Sequence, residues 1–164
     1  MWMEKKTEKR LEREFLSMPL HHIDTSIVRE KPTTPNGRCC VAYLNIVGTK
    51  YRGKFSIPML GEYLIGVISI SDYSKRVDLL EVIYSLMKNK KIELTSVQNI
   101  EKTANRIKEL DERIQTADRL ILGSAIEDSA DTFITLDVDL IRNVVIEKEL
   151  GIKIRHPKEK LSPS

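Results

Sequence analysis

A chain of 164 residues with 41% hydrophobic residues can build one packed domain with an extension, and its formal net charge of +3 is too small to announce a nucleic-acid binder by itself. The only two cysteines, Cys39 and Cys40, are adjacent, which argues against a disulfide framework or a cysteine metal site and for a reducing compartment. No apolar run reaches the roughly 18 residues of a membrane span, and the charged start MWMEKKTEKRLEREF is unlike a signal peptide, so a cytoplasmic protein without a membrane partner is expected.

Residues 1–18 read as an exposed helix, because Glu4, Glu8 and Glu12 alternate with Lys5, Lys9 and Arg13. Such an extension is a solvated helix or a docking helix, and both readings stand. A short strand is expected at 20–24, then DTSIVRE, then a loop over KPTTPNGR with its two prolines and Asn-Gly pair. Residues 38–47 read as a helix with Cys39, Ala42, Tyr43 and Ile46 along one face. A basic loop carrying Lys50, Arg52 and Lys54 leads to a strand near 55–57.

Pro58 is placed to open the next helix, whose apolar residues run nearly all round, the pattern of a helix largely buried in protein. Asp72 or Ser74 can cap a further helix to about residue 87, with Val77, Leu80, Ile83, Tyr84 and Met87 at helical spacing. A strand within 91–97 and a polar helix over 98–110 follow. In the last third Thr116 is expected to cap a helix to 127, followed at once by the strand DTFITLD. A turn at 138–139, a helix LIRNVVIEKEL ended by Gly151, and a last strand at KIRH complete the pattern. The domain is expected over 19–157, with a tail at 158–164. Alternating strands and helices predict an α/β fold with a mainly parallel sheet covered on both faces.

Glu62 is the only charged residue in the run FSIPMLGEYLIGVISI. A carboxylate taken out of water without a partner is costly or takes up a proton. Glu62 is therefore expected to face a cation, a basic side chain or a wet cleft. Three more acids occupy comparable places: Asp24 and Asp137 at strand ends and Asp118 in the first turn of its helix. In a parallel sheet these places share one edge, the edge where ligands bind. Singly, Asp118 can simply favour the helix dipole, and Asp24 and Asp137 can cap turns. Together, carboxylates that would repel one another call for a cation, and oxygen-only ligation suits Mg²⁺ or Mn²⁺ in phosphate hydrolysis.

On these residues the chain resembles the PIN-domain ribonucleases, including VapC-like toxins. The resemblance rests on IDTS at 23–26, IPMLGEYL at 57–64, TADRLILGSAIEDSAD at 116–131 and TFITLDVDLI at 132–141, and covers roughly 19–157. It implies a three-layer α/β/α sandwich and an endoribonuclease whose acids bind Mg²⁺ or Mn²⁺ to activate water. Asp24, Glu62, Asp118 and Asp137 would be the catalytic and metal-binding quartet. Asp139 would be an accessory metal ligand, and Thr25 or Ser26 would support the first carboxylate or meet phosphate. The implied partners are RNA, single-stranded, an antitoxin protein that inserts into the acidic cleft, and a second copy in a homodimer.

The first strand departs from the family's aliphatic pattern by reading LHHID. His21 and His22 are either extra ligands or packed strand residues. Lys50, Arg52 and Lys54, interleaved with Tyr51 and Phe55, suit phosphate contact and base stacking in single-stranded RNA, or a solvated loop. The competing functional reading is a catalytically inactive PIN-like module that binds RNA or protein. A receiver or phosphatase-like domain with Asp24 as phosphate acceptor would need a lysine late in the sheet, and none is evident.

Overall fold

The computed structural model describes residues 2–89 and 91–161. Five parallel strands form one sheet: β1 Leu20–Ile23, β2 Arg52–Ser56, β3 Ile92–Thr95, β4 Thr132–Ile134 and β5 Lys153–Arg155, in the order β3-β2-β1-β4-β5. The described helices are α1 Trp2–Ser17, α2 Thr25–Arg29, α3 Pro35–Ile46, α4 Ile57–Ile68, α5 Tyr73–Lys88, α6 Ile100–Leu110, α7 Thr116–Glu127, α8 Val138–Ile141 and α9 Val144–Leu150, with a 3-10 turn at Pro157–Lys160. The side chains of Glu4 and Lys5, and the tail at 162–164, lie outside the described part.

The two histidines of β1 reveal the layering. Successive strand side chains point to opposite faces. The His21 ring stacks on Tyr51, centroids 4.1 Å apart, and its Nδ1 lies 2.8 Å from the Tyr43 hydroxyl on α3. On the other face His22 donates from Nε2 to Asp128, 2.7 Å away at the C-terminal end of α7. Helices α3 and α7 therefore cover opposite faces of a sheet whose core includes Ile23, Phe55, Phe133, Ile134 and Ile154. This is the three-layer sandwich. Gly53 of β2 is required by close approach, because a Cβ there would lie 2.5 Å from Val47 Cγ1. Among the described residues no helix is long and apolar enough to cross a membrane.

Several local expectations are corrected. Helix α3 begins at Pro35, inside the expected loop. Thr34 caps it by accepting from the Gly37 N–H at 2.9 Å, and proline suits a first helical position. Its buried face is Gly37, Cys40 and Tyr43, so Cys39 stands to one side. Helix α4 is not buried all round: Met59, Tyr63 and Val67 face the core, while Ile65 and Ile68 are 72% and 71% exposed. One helix face is all that a sheet can cover. On α5, capped by Asp72, only Ile83 of the expected apolar face is buried, and Tyr84 is exposed. Thr116 is the first helical residue of α7 and Gln115 its cap position. The expected helix LIRNVVIEKEL is two helices, because Asn143 breaks it and caps α9 by accepting from Ile146 N–H at 3.1 Å.

Candidate active site

Strand β1 delivers Asp24 to the carboxyl edge of the sheet. Its N–H donates to Ile134 O at 2.9 Å, which carries the β1–β4 pairing one step beyond the strands. The carboxylate is 8% exposed and accepts on Oδ2 from Ser26 Oγ at 2.6 Å and Thr135 Oγ1 at 2.8 Å. Burial pushes the Asp24 carboxyl above its ordinary range, those hydroxyls pull it back, and neighbouring Glu62 pushes it up again. Thr135 Oγ1 also accepts from Asp137 N–H at 3.0 Å, and Ser26 Oγ accepts from Leu136 N–H at 3.1 Å. A clasp of two hydroxyls thus fastens the ends of β1 and β4 and sets Asp24 and Asp137 side by side. Asp137 uses Oδ1 to cap α8, accepting from the N–H groups of Asp139 at 2.8 Å and Leu140 at 3.3 Å.

The other two acids arrive on helices. Glu62 sits on α4, six residues after Ser56 caps that helix, and Thr25 Oγ1 donates to its Oε2. Asp118 lies in the first turn of α7, and its carboxyl is pushed up to about 6 by burial and then by Asp24, Glu62 and Asp137. A field felt from all three neighbours means that the quartet shares one space. Asp24, Glu62, Asp118 and Asp137 line an open cleft of about 580 Å³ together with Thr25, Ser26, Arg29, Glu30 and Leu136. Asp139 does not line it. It lines an adjoining cleft of about 230 Å³ that shares Asp118 and Asp137 and is bounded by Asp111, Arg113 and Asn143.

The donor chemistry fits a hard divalent cation, since it is oxygen-only, anionic and open on one side. Among the described residues, however, no group of three His, Cys, Asp or Glu is drawn tightly enough to be a ready-made metal cage. The acids are a spread set around a cleft. Neither histidine belongs to it: His21 and His22 are each 1% exposed and engaged on the two faces of the sheet. Burial pushes the Cys40 thiol up to about 12, so it offers no thiolate nucleophile.

The structure does not bring Lys50, Arg52 and Lys54 to the cleft. They lie on or before β2, whose far end carries the site, and Lys54 Nζ is bound to Asp128 at 2.9 Å. The Arg52 guanidinium sits 5.6 Å from the Phe15 ring centroid and 3.8 Å from Glu93. Arg29, Glu30 and Leu136 of the cleft lining, and Thr135 beside it, were not among the residues expected from sequence. Thr135 had a usable signal, a polar residue directly after the apolar pair Phe133–Ile134 and two before Asp137. Arg29 had none.

No protein-family model matches the sequence, and no curated protein matches it. Solved structures do. A chain of VapBC2 from Rickettsia felis, bound to a DNA fragment from its promoter, has a TM-score of 0.63 and 15% identity over 84% of this chain and 98% of its own. FitAcB from Neisseria gonorrhoeae gives 0.58 and 19% over 84% and 97%. VapBC-1 from nontypeable Haemophilus influenzae gives 0.59 and 14% over 84% and 98%. At these identities the likeness establishes the fold, and it spans nearly the whole of each matched chain. This chain has the fold that its sequence resemblance implied, the three-layer α/β/α sandwich of the PIN type.

Proposed function

We propose that this chain is a divalent-metal-dependent endoribonuclease that hydrolyses RNA phosphodiester bonds, and that it is the toxin of a toxin–antitoxin pair. The observation that carries the reading is the convergence of Asp24, Glu62, Asp118 and Asp137, from four separate elements, on one open cleft. Like charges so grouped raise one another's pKa, and that arrangement persists in proteins where the site has work to do. The four carboxylates would hold Mg²⁺ or Mn²⁺, with Asp139 at the rim of the adjoining cleft. Such an ion, when bound, supplies Lewis acidity that lowers the pKa of a water and offsets charge on the leaving oxygen.

The protein's own part is positioning. Ser26 and Thr135 hold Asp24 in one orientation, and Thr25 holds Glu62. Asp24 is buried at the floor of the cleft and Asp118 is half-buried, so their charges are felt more strongly than at a free surface. An antitoxin is supported by the kinds of assembly that contain the structural neighbours, VapBC and FitAcB. An acidic cleft is complementary to a basic segment of such a partner.

The test is cleavage of labelled single-stranded RNA with Mg²⁺ or Mn²⁺ and with chelator, beside Asp24→Asn and Glu62→Gln. Metal-dependent cleavage lost in both variants is the expected result. No cleavage of several RNAs, with no metal binding by calorimetry, would sink the catalytic reading in favour of an inactive RNA- or protein-binding module.

A further inference from the structure

A cleft walled by five carboxylates, the quartet and Glu30, repels a polyanion, so beyond any metal it would hold, a nuclease site of this kind calls for a basic side chain to receive the strand. Among the described residues Arg29 is the one basic side chain lining the cleft. It ends α2, five residues after Asp24, and is exposed. It has no ion pair and no hydrogen bond among the described residues. Arg113, in the adjoining cleft, differs: its guanidinium makes a two-pronged bond to Asp111, with distances of 2.9 and 2.8 Å. Arg113 is paired with a carboxylate; Arg29 is paired with none among the described residues.

Arg29 also has a built seat. A Cβ on Gly66 of α4 would lie 3.0 Å from the Arg29 Cζ, 3.1 Å from Nη1 and 3.3 Å from Nη2. Three such similar distances mean that the guanidinium lies face-on over the bare backbone of α4. Glycine inside a helix costs about 1 kcal/mol relative to alanine, and here it gives a planar cation a flat resting place one turn beyond Glu62. Lying flat leaves the N–H edges free, and those edges are what bind phosphate oxygens in pairs.

Resting on the nuclease reading above, we infer that Arg29 is a substrate-binding residue that grips an RNA phosphate adjacent to the one cleaved, with Gly66 as its seat. The contact is to the backbone, so it contributes affinity and register without sequence preference.

The experiment measures binding of a fluorescein-labelled single-stranded RNA by anisotropy across a salt series, with Ca²⁺ in place of Mg²⁺ to slow hydrolysis. Cleavage in Mg²⁺ is followed in parallel. Arg29→Ala is expected to weaken binding about tenfold and to lower the log-log salt slope by about 0.7, the value of one phosphate contact on a single strand. Arg29→Lys keeps the slope and loses part of the affinity. Gly66→Ala weakens binding without lowering the melting temperature, since the methyl displaces only the guanidinium. Lys50→Ala, on the far side of the sheet, leaves both readings unchanged.

If wild type cleaves RNA and Arg29→Ala keeps affinity and slope, the assignment is overturned and the nuclease stands. An Arg29-dependent slope without any cleavage keeps the contact and makes the chain an RNA-binding module. A wild type that neither binds nor cleaves overturns both.

Discussion

Asp118 offers a test in which loss of a site residue should strengthen the protein. Its carboxyl is held at about 6 in the folded chain against an ordinary 3.8. A group whose folded pKa is raised favours folding at pH values below the unfolded pKa, and that contribution is lost as pH rises through the folded value. At pH 7 the metal-free protein therefore carries an ionised Asp118 that the fold resists, by up to about 3 kcal/mol. Solvent in the open cleft screens part of this, and an asparagine in its place would give up the favourable charge at a helix start, so the net gain for Asp118→Asn is about 2 kcal/mol. Urea unfolding at pH 7 with chelator should show a higher midpoint and an unchanged slope for Asp118→Asn. The advantage should shrink as pH falls from 6 and be gone near 3.8. Equal or lower stability of the variant at pH 7, or a difference that ignores pH, would refute the reasoning.

Three further outcomes follow from the same geometry. Buried His21 is held at about 3 against an ordinary 6.5, so acid favours the unfolded chain over that range, by about 1.4 kcal/mol per pH unit. Asp118 opposes this between 3.8 and 6, and Asp24, its carboxyl raised by burial, opposes it too, so the loss should be read in the Asp24→Asn/Asp118→Asn background, where it reaches about 2 kcal/mol from pH 6.5 to pH 5; a flat profile there removes His21 from the account. Thr135→Val deletes the hydroxyl shared by Asp24 and the Asp137 N–H, with an expected cost of about 3 kcal/mol in urea unfolding, largely restored by Thr135→Ser. A change too small to measure would contradict the clasp. Gly53→Ala forces a Cβ against Val47, which should cost about 1–3 kcal/mol and be relieved in part by Val47→Ala in a double-mutant cycle.

The architecture was legible because strand ends and helix starts carry local signatures, and a parallel sheet brings them to one edge. That is why Asp24, Glu62, Asp118 and Asp137, up to 113 positions apart in the chain, were readable as one group. What stayed hidden depends on partners distant in sequence. Pro35 and Gly37 look like loop residues until Thr34 is seen capping them. The apolar girth of α4 says nothing of how much sheet is available to cover it, and Ile65 and Ile68 are left outside. Basic residues are the sharpest case. Lys54 looked free and is bound to Asp128, whereas Arg29, in an unremarkable stretch, keeps its charge open. Sequence displays charges; only the fold shows which are neutralised.

The hydroxyl clasp between β1 and β4 has a mechanical consequence. Asp24 and Asp137 are bolted to the sheet through a shared threonine, while Glu62 and Asp118 ride on α4 and α7, which pack against each other. The cleft is a vice with one fixed jaw and one adjustable jaw. Its opening is governed by the side chains that seat the two helices, Met59 and Tyr63 under α4 and Ile121 and Leu122 under α7. Trimming one of them would respace the acids without touching any, and displacements near 1 Å change rates by about a hundredfold. The tolerance of the site is written in the core beneath it.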